Sequence, residues 1–184
     1  MLEFFKNTDK DLFLYLNGMH TGFFDSIMPL VTGFWIWIPL FIWWIYEVYK
    51  RHKLKTIAIL VFAGALIFAS DQSANVIKKS VKRYRPTHNT EMQYKIHVVD
   101  DYRGGDYGFV SGHAANAFAI AMFAFLLMRT GKKLFSFSLF LWACITAYSR
   151  IYLGVHYPLD ILCGALLGTL LAIIFYKIYV RFFI

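Results

Sequence analysis

Ser149-Arg150-Ile151-Tyr152-Leu153-Gly154-Val155-His156-Tyr157-Pro158-Leu159-Asp160 sits between two uncharged apolar runs, residues 134–148 and 161–176. Two greasy segments joined by a short turn that carries a cation, an imidazole and a carboxylate describe a pair of membrane helices with chemistry at one end. Pro158 suits the first turn of a helix, where its missing N–H costs nothing. Asp160 lies four residues after His156, a spacing that puts it within reach of the imidazole ring. A carboxylate on one ring nitrogen fixes the tautomer and leaves the other nitrogen free to attack or to accept a proton. Arg150, across the Gly154 turn, is placed to hold an anion by paired hydrogen bonds.

Composition sets the class. The chain has 184 residues, 59% hydrophobic and 20% aromatic with only 16% charged, which is too apolar for a soluble domain of this size. It reads as all-α: an integral membrane helical bundle in one domain over residues 1–184, with about five spanning helices and an N-terminal interfacial helix. The net charge of +8 points to anionic lipid or substrate, and the scatter of basic residues between apolar segments argues against nucleic acid. Cys144 and Cys163 fall inside apolar runs, as small core residues rather than a disulfide framework.

Outward from the opening stretch, the pattern predicts an amphipathic interfacial helix over 1–24 and spans over 26–49, 56–77, 112–128, 134–149 and 158–180. Pro29 and Pro39 are expected to kink the first span. Asp71 lies within the second, seven residues before Lys78, where a charge is either paired or functional. Residues 78–110 form a polar substrate or lid loop that opens on Lys78-Lys79-Ser80-Val81-Lys82-Arg83-Tyr84-Arg85-Pro86, with five cations before the proline. Gly104, Gly105 and Gly108 make its later part pliable. His88 and His97 lack partners at metal spacing and read as surface residues. Val110-Ser111-Gly112-His113 then opens the third span: Ser111 is a good N-cap, Gly112 allows close approach, and a helix N-terminus is an anion site.

The segments alternate in a revealing way. Spans one, three and five end in basic residues, at Lys50–Lys55, at Arg129, Lys132 and Lys133, and at Lys177 and Arg181. By the positive-inside rule these ends are cytoplasmic. Lys78, Arg85, Ser111, His113, Arg150 and His156 then all fall on the opposite face. Three cations beside a helix N-terminus describe a site for a phosphate dianion, and two histidines supply a nucleophile and an acid–base group. The reading assigns His156 as nucleophile through a phosphohistidine, Asp160 as its orienting group, and His113 as proton donor and then base. Lys78, Arg85, Arg150 and the N–H groups of Ser111 and Gly112 hold the phosphoryl oxygens. Neither a metal nor another cofactor is required, because the cations supply the charge.

These residues resemble the type 2 phosphatidic acid phosphatase superfamily. Its first motif, a lysine, six residues and Arg-Pro, matches Lys78 through Arg85-Pro86. Its second, Pro-Ser-Gly-His, matches Val110-Ser111-Gly112-His113 except at the first position. Its third, Ser-Arg, five residues, His, three residues and Asp, matches Ser149-Arg150, His156 and Asp160. The resemblance covers residues 78–160 and implies a membrane lipid phosphatase acting on undecaprenyl diphosphate, phosphatidylglycerol phosphate, phosphatidate or a lipid A phosphate. Its implied place is a bacterial inner membrane, with the site facing the periplasm or outside. The alternatives are a lipid phosphotransferase using the same intermediate, and a non-catalytic lipid-binding membrane protein. The expected partners are an anionic lipid phosphate and the surrounding membrane lipids.

Overall fold

The computed structural model describes residues 2–128 and 133–183, apart from the side chains of residues 2–5, 133 and 136. Among the described residues the regular structure is helical: α1 (Leu2–Asn17), α2 (Gly22–Thr32), α3 (Ile38–His52), α4 (Thr56–Val81), α5 (Gly112–Leu127), α6 (Lys133–Tyr152) and α7 (Pro158–Phe183). The stretches Trp35–Val81 and Pro158–Phe183 are long and apolar enough to cross a membrane. Leu162, Leu166, Leu170, Ile174 and Ile178 form an exposed stripe at four-residue spacing along α7. A large apolar stripe turned outward on a helix fits lipid rather than water as the solvent.

The expected continuous helix over 26–49 is two helices. α2 closes where the Gly33 N–H bonds the Leu30 carbonyl at 3.0 Å, and a single 3₁₀ turn, Trp35–Trp37, leads into α3. Pro39 sits in the first turn of α3, so it starts that helix instead of kinking one. Trp37 Nε1 donates to the Val31 carbonyl at 2.8 Å and pins the corner. α2 then packs on α6, while α3 turns back through Lys53 (φ 51°) to pair with α4.

α1 is docked as well as amphipathic. It buries Phe13, Asp9 and Asn17 against the α6–α7 connection. Asn17 Nδ2 donates to the carbonyls of Ile151 and Tyr152 at 3.2 and 2.9 Å, which satisfies acceptors in the last turn of α6. α4 continues to Val81 and so carries Lys78 in its last turn. The basic turn expected at Arg129 and Lys132 lies outside the described residues. Cys144 and Cys163 are free, but Cys144 is exposed and Cys163 half-buried, not core. In a membrane bundle an apolar run has an outward face too, so apolar context alone does not place a cysteine inside.

The centre of the bundle is the contact of α5 with α7. α5 buries a row of alanines from Ala114 to Ala124, and Gly164 and Gly168 of α7 face it. A Cβ at Gly164 would lie 2.5 Å from the Ser111 carbonyl oxygen, and one at Gly168 would overlap the Ala115 carbonyl. Small residues four apart let two backbones touch. That contact brings the N-terminus of α5 onto that of α7, where the Ser111 N–H donates to the Asp160 carbonyl at 2.9 Å.

Candidate active site

The sequence-predicted residues meet at one end of the bundle. Lys78, Arg85, Gly112, His113, Arg150 and His156 line a single cavity of about 900 Å³. Each comes from a different local device. Lys78 ends α4; Arg85 is held by its own N–H to the Asp106 carbonyl at 3.0 Å. Ser111 is the buried N-cap of α5, with Oγ accepting from the Ala114 N–H at 3.4 Å. Gly112 lets the Lys78 ammonium close in: an added Cβ would sit 3.3 Å from Nζ. His113, in the first turn, is accessible from the cavity. Gly154 takes φ 75°, a left-handed turn that suits glycine, and swings the chain from Arg150 to His156.

His156 is 1% exposed. Its Nε2 lies 3.0 Å from Arg85 Nη1, and its Nδ1 faces Asp160 Oδ2 at 3.5 Å, a separation longer than a fully formed hydrogen bond. Nδ1 forms no hydrogen bond in the structure, but the Asp160 carboxylate on its side and the guanidinium donor at Nε2 together favour the Nδ1–H tautomer, with the Nε2 lone pair turned to the cavity. Burial, then Arg85, Arg150 and Lys78, hold the imidazole well below its ordinary pKa, so it is neutral. Glycine is needed at 108, where a Cβ would lie 2.9 Å from Asp160 Oδ2.

Asp160 is fully buried behind the ring, outside the cavity. Oδ2 also accepts the Tyr157 N–H at 3.0 Å, capping the start of α7, and Oδ1 pairs with Arg83 Nη1 at 2.7 Å. Arg150 is 2% exposed; its Nη1 donates to Thr32 Oγ1 at 2.6 Å and its Nη2 to the Tyr102 hydroxyl at 3.0 Å. Asp71 reaches the cavity wall near Lys78 and accepts from Asn75 Nδ2 at 3.0 Å.

Sequence reasoning missed Arg83, Asp9, Thr32 and Tyr102 as parts of this assembly. Arg83 was visible within the cation run, but its spacing does not say that it turns away from the cavity. Tyr102 and Thr32 come from a loop and a helix end with no local motif. His97, read as a surface residue, is partly buried, with Nε2 2.7 Å from Asp25 Oδ1 and its ring stacked on His20. Among the described residues, no group of His, Cys, Asp and Glu gathers as a metal-holding cluster.

From its polar end the cavity runs between helices to Trp37, Phe41, Trp44, Ile67 and Trp142. One wall therefore suits an anion and the other a hydrocarbon chain. The family model for the PAP2 superfamily matches residues 54–184, which includes every residue lining the polar end from Lys78 to His156. The chain belongs to the PAP2 superfamily. It is similar to lipid A 4'-phosphatase of Bacteroides thetaiotaomicron, 36% identical over 97% of this chain and 80% of the relative. It is likewise similar to lipid A 4'-phosphatase of Porphyromonas gingivalis, 31% identical over 97% of this chain and 75% of the relative. The crystal structure of Aquifex aeolicus LpxE superposes with a TM-score of 0.68 at 27% identity, covering 91% of this chain and 93% of that one. This PAP2 chain is a hydrolase of the lipid phosphatase class and a membrane protein.

Proposed function

We propose that the protein removes the 4'-phosphate from lipid A or a lipid A precursor by way of a phosphohistidine on His156. The observation that carries the reading is the seating of a neutral, buried imidazole with Nε2 3.0 Å from Arg85, in a cavity that also holds Lys78, Arg150 and His113. The two similar curated phosphatases support the choice of lipid, and the apolar end of the cavity suits acyl chains.

In the first step Nε2 of His156 attacks phosphorus. The N–P bond forms as the P–O bond to the sugar breaks, and His113 gives its proton to the leaving oxygen. Lys78, Arg85, Arg150 and the N–H groups at the start of α5 stabilise the equatorial oxygens, the dominant requirement in phosphoryl transfer. Asp160 stabilises the imidazolium through Nδ1. In the second step His113 takes a proton from water, the water oxygen bonds phosphorus, and the N–P bond breaks to release inorganic phosphate. The cations these steps need, Lys78, Arg85 and Arg150, already line the cavity.

The bundle is oriented with this site on the outer face and crosses the membrane five times, through α3, α4, α5, α6 and α7. Lys55 Nζ donates to the Phe183 carbonyl at 2.6 Å, which places the Lys50–Lys55 turn and the end of α7 together at the pole away from the site. That basic pole is the cytoplasmic one by the positive-inside rule. α2 stays at the site end, where Thr32 meets Arg150.

The test is phosphate release by purified protein in detergent, with chelator present, from a panel of lipid mono- and diphosphates. Release from the lipid A 4'-position that is absent in His156→Ala supports the reading. Preferential release from undecaprenyl diphosphate or a glycerolipid would replace the substrate, and dependence on added metal would overturn the mechanism.

A further inference from the structure

Asp160 orients the nucleophile, but something must hold Asp160. Its carboxylate is fully buried and 3.5 Å from the ring it serves. An isolated buried carboxylate is costly and tends to take up a proton, after which it no longer favours the imidazolium. Here Oδ1 is paired with Arg83 Nη1 at 2.7 Å. The other terminal nitrogen, Nη2, pairs with Asp9 Oδ2 at 2.5 Å, and Asp9 is itself 4% exposed. The second Asp9 oxygen accepts the Leu159 N–H at 2.9 Å, one residue before Asp160. The guanidinium plane also lies over the Tyr157 ring at 4.1 Å. Arg83 is thus fixed on both terminal nitrogens and against the Tyr157 ring, and it is not among the residues lining the phosphate cavity.

We propose that Asp9 and Arg83 are positioning residues of the phosphoryl-transfer site: Asp9 fixes the Arg83 guanidinium, Arg83 fixes Asp160, and Asp160 sets the His156 ring with Nε2 toward phosphorus. This rests on His156 as nucleophile. It makes α1 part of the active site: the helix carries a carboxylate that reaches the reacting ring through two ion pairs. Arginine is required at 83, because a planar fork can serve two carboxylates at once and an ammonium serves them as a point charge.

The test is steady-state kinetics of Arg83→Gln, Arg83→Lys, Asp9→Asn and the Asp9→Asn/Arg83→Gln double variant, across pH. Arg83→Gln is expected to lower kcat by roughly 10–100-fold, the usual range for residues that orient a reacting group. KM should stay within about twofold, since the phosphate-binding cations are untouched. The acid limb of its kcat–pH profile should move upward. The Asp160 carboxylate then faces Arg85, Lys78, His156, Tyr157, Asp9 and Cys163 without its paired cation. Arg83→Lys should restore the acid limb but only part of kcat. Asp9→Asn keeps an acceptor for the Leu159 N–H; it should lower kcat in the wild-type background and add nothing in the Arg83→Gln background, because both act through one chain. If Arg83→Gln does not fold, the lysine and asparagine variants carry the same test. Additive losses with an unmoved pH profile would show scaffolding alone and overturn the proposal. Turnover in His156→Ala would instead overturn the nucleophile assignment on which it rests.

Discussion

Arg85 Nη1 and His156 Nε2 face each other at 3.0 Å across the polar end of the cavity. The guanidinium also donates to the Val155 carbonyl at 3.1 Å, so it is anchored to the segment that carries the imidazole. In the free protein Arg85 therefore occupies the lone pair that the proposed mechanism turns on phosphorus. A phosphoryl group entering between them gains the donor and frees the nucleophile together.

Removing that donor should cost a charge-assisted hydrogen bond to the transition state. Arg85→Gln is expected to lower kcat/KM by about 1.5–3 kcal/mol, roughly tenfold to a hundredfold, and a rate within twofold of wild type would exclude the contact.

The same substitution should change the pH dependence. Burial and then Arg85, Arg150 and Lys78 hold His156 well below its ordinary pKa, which favours the neutral imidazole. Loss of one cation raises the imidazole pKa, and protonation then removes the lone pair at a higher pH. The acid limb of kcat/KM should shift upward in Arg85→Gln compared with wild type on the same substrate; an unmoved limb would mean the two groups are uncoupled.

Asp160→Asn keeps the size of the side chain and removes its charge. The asparagine can turn its amide nitrogen toward His156 and stabilise the wrong tautomer. The loss of kcat should reach two to four powers of ten with little change in KM, on the order found when a triad carboxylate is replaced. Equal loss in both parameters would point to a damaged phosphate site instead.

How much of this was readable beforehand depended on distance along the chain. His156 and Asp160 are neighbours in sequence, and Lys78, Ser111 and Arg150 follow from which helix ends share a membrane face. Counting apolar segments was enough to bring them together. Asp9 and Arg83 could not be found that way. Their ion pair joins α1 to the segment after α4, and neither residue lies in a spacing that implies the other. The split of 26–49 into α2 and α3 was hidden for another reason: Gly33 ends one helix and Pro39 begins the next, yet the run between them stays apolar throughout. Gly164 and Gly168 read as ordinary members of an apolar run until α5 is placed against them.

Those glycines give a test of the fold that is independent of catalysis by side chains. Gly168→Ala inserts a methyl group into the Ala115 carbonyl, and overpacking of this kind costs about 1–3 kcal/mol. Thermal unfolding in detergent should fall by several degrees, at about 2–4 °C per kcal/mol for a chain of this size. Activity should fall as well, since the displaced α5 carries Ser111, Gly112 and His113. An unchanged melting temperature would mean that α5 and α7 do not touch there.

The central claim is that phosphate passes through a bond to His156. Turnover of a lipid phosphate is quenched into alkali, where phosphohistidine survives, and the phosphoryl group is located by peptide mass spectrometry. A phosphoryl group on the peptide containing His156, at Nε2, lost on acid treatment, is the predicted result. A phosphoryl group on another residue, or continued phosphate release by His156→Ala, would contradict the account.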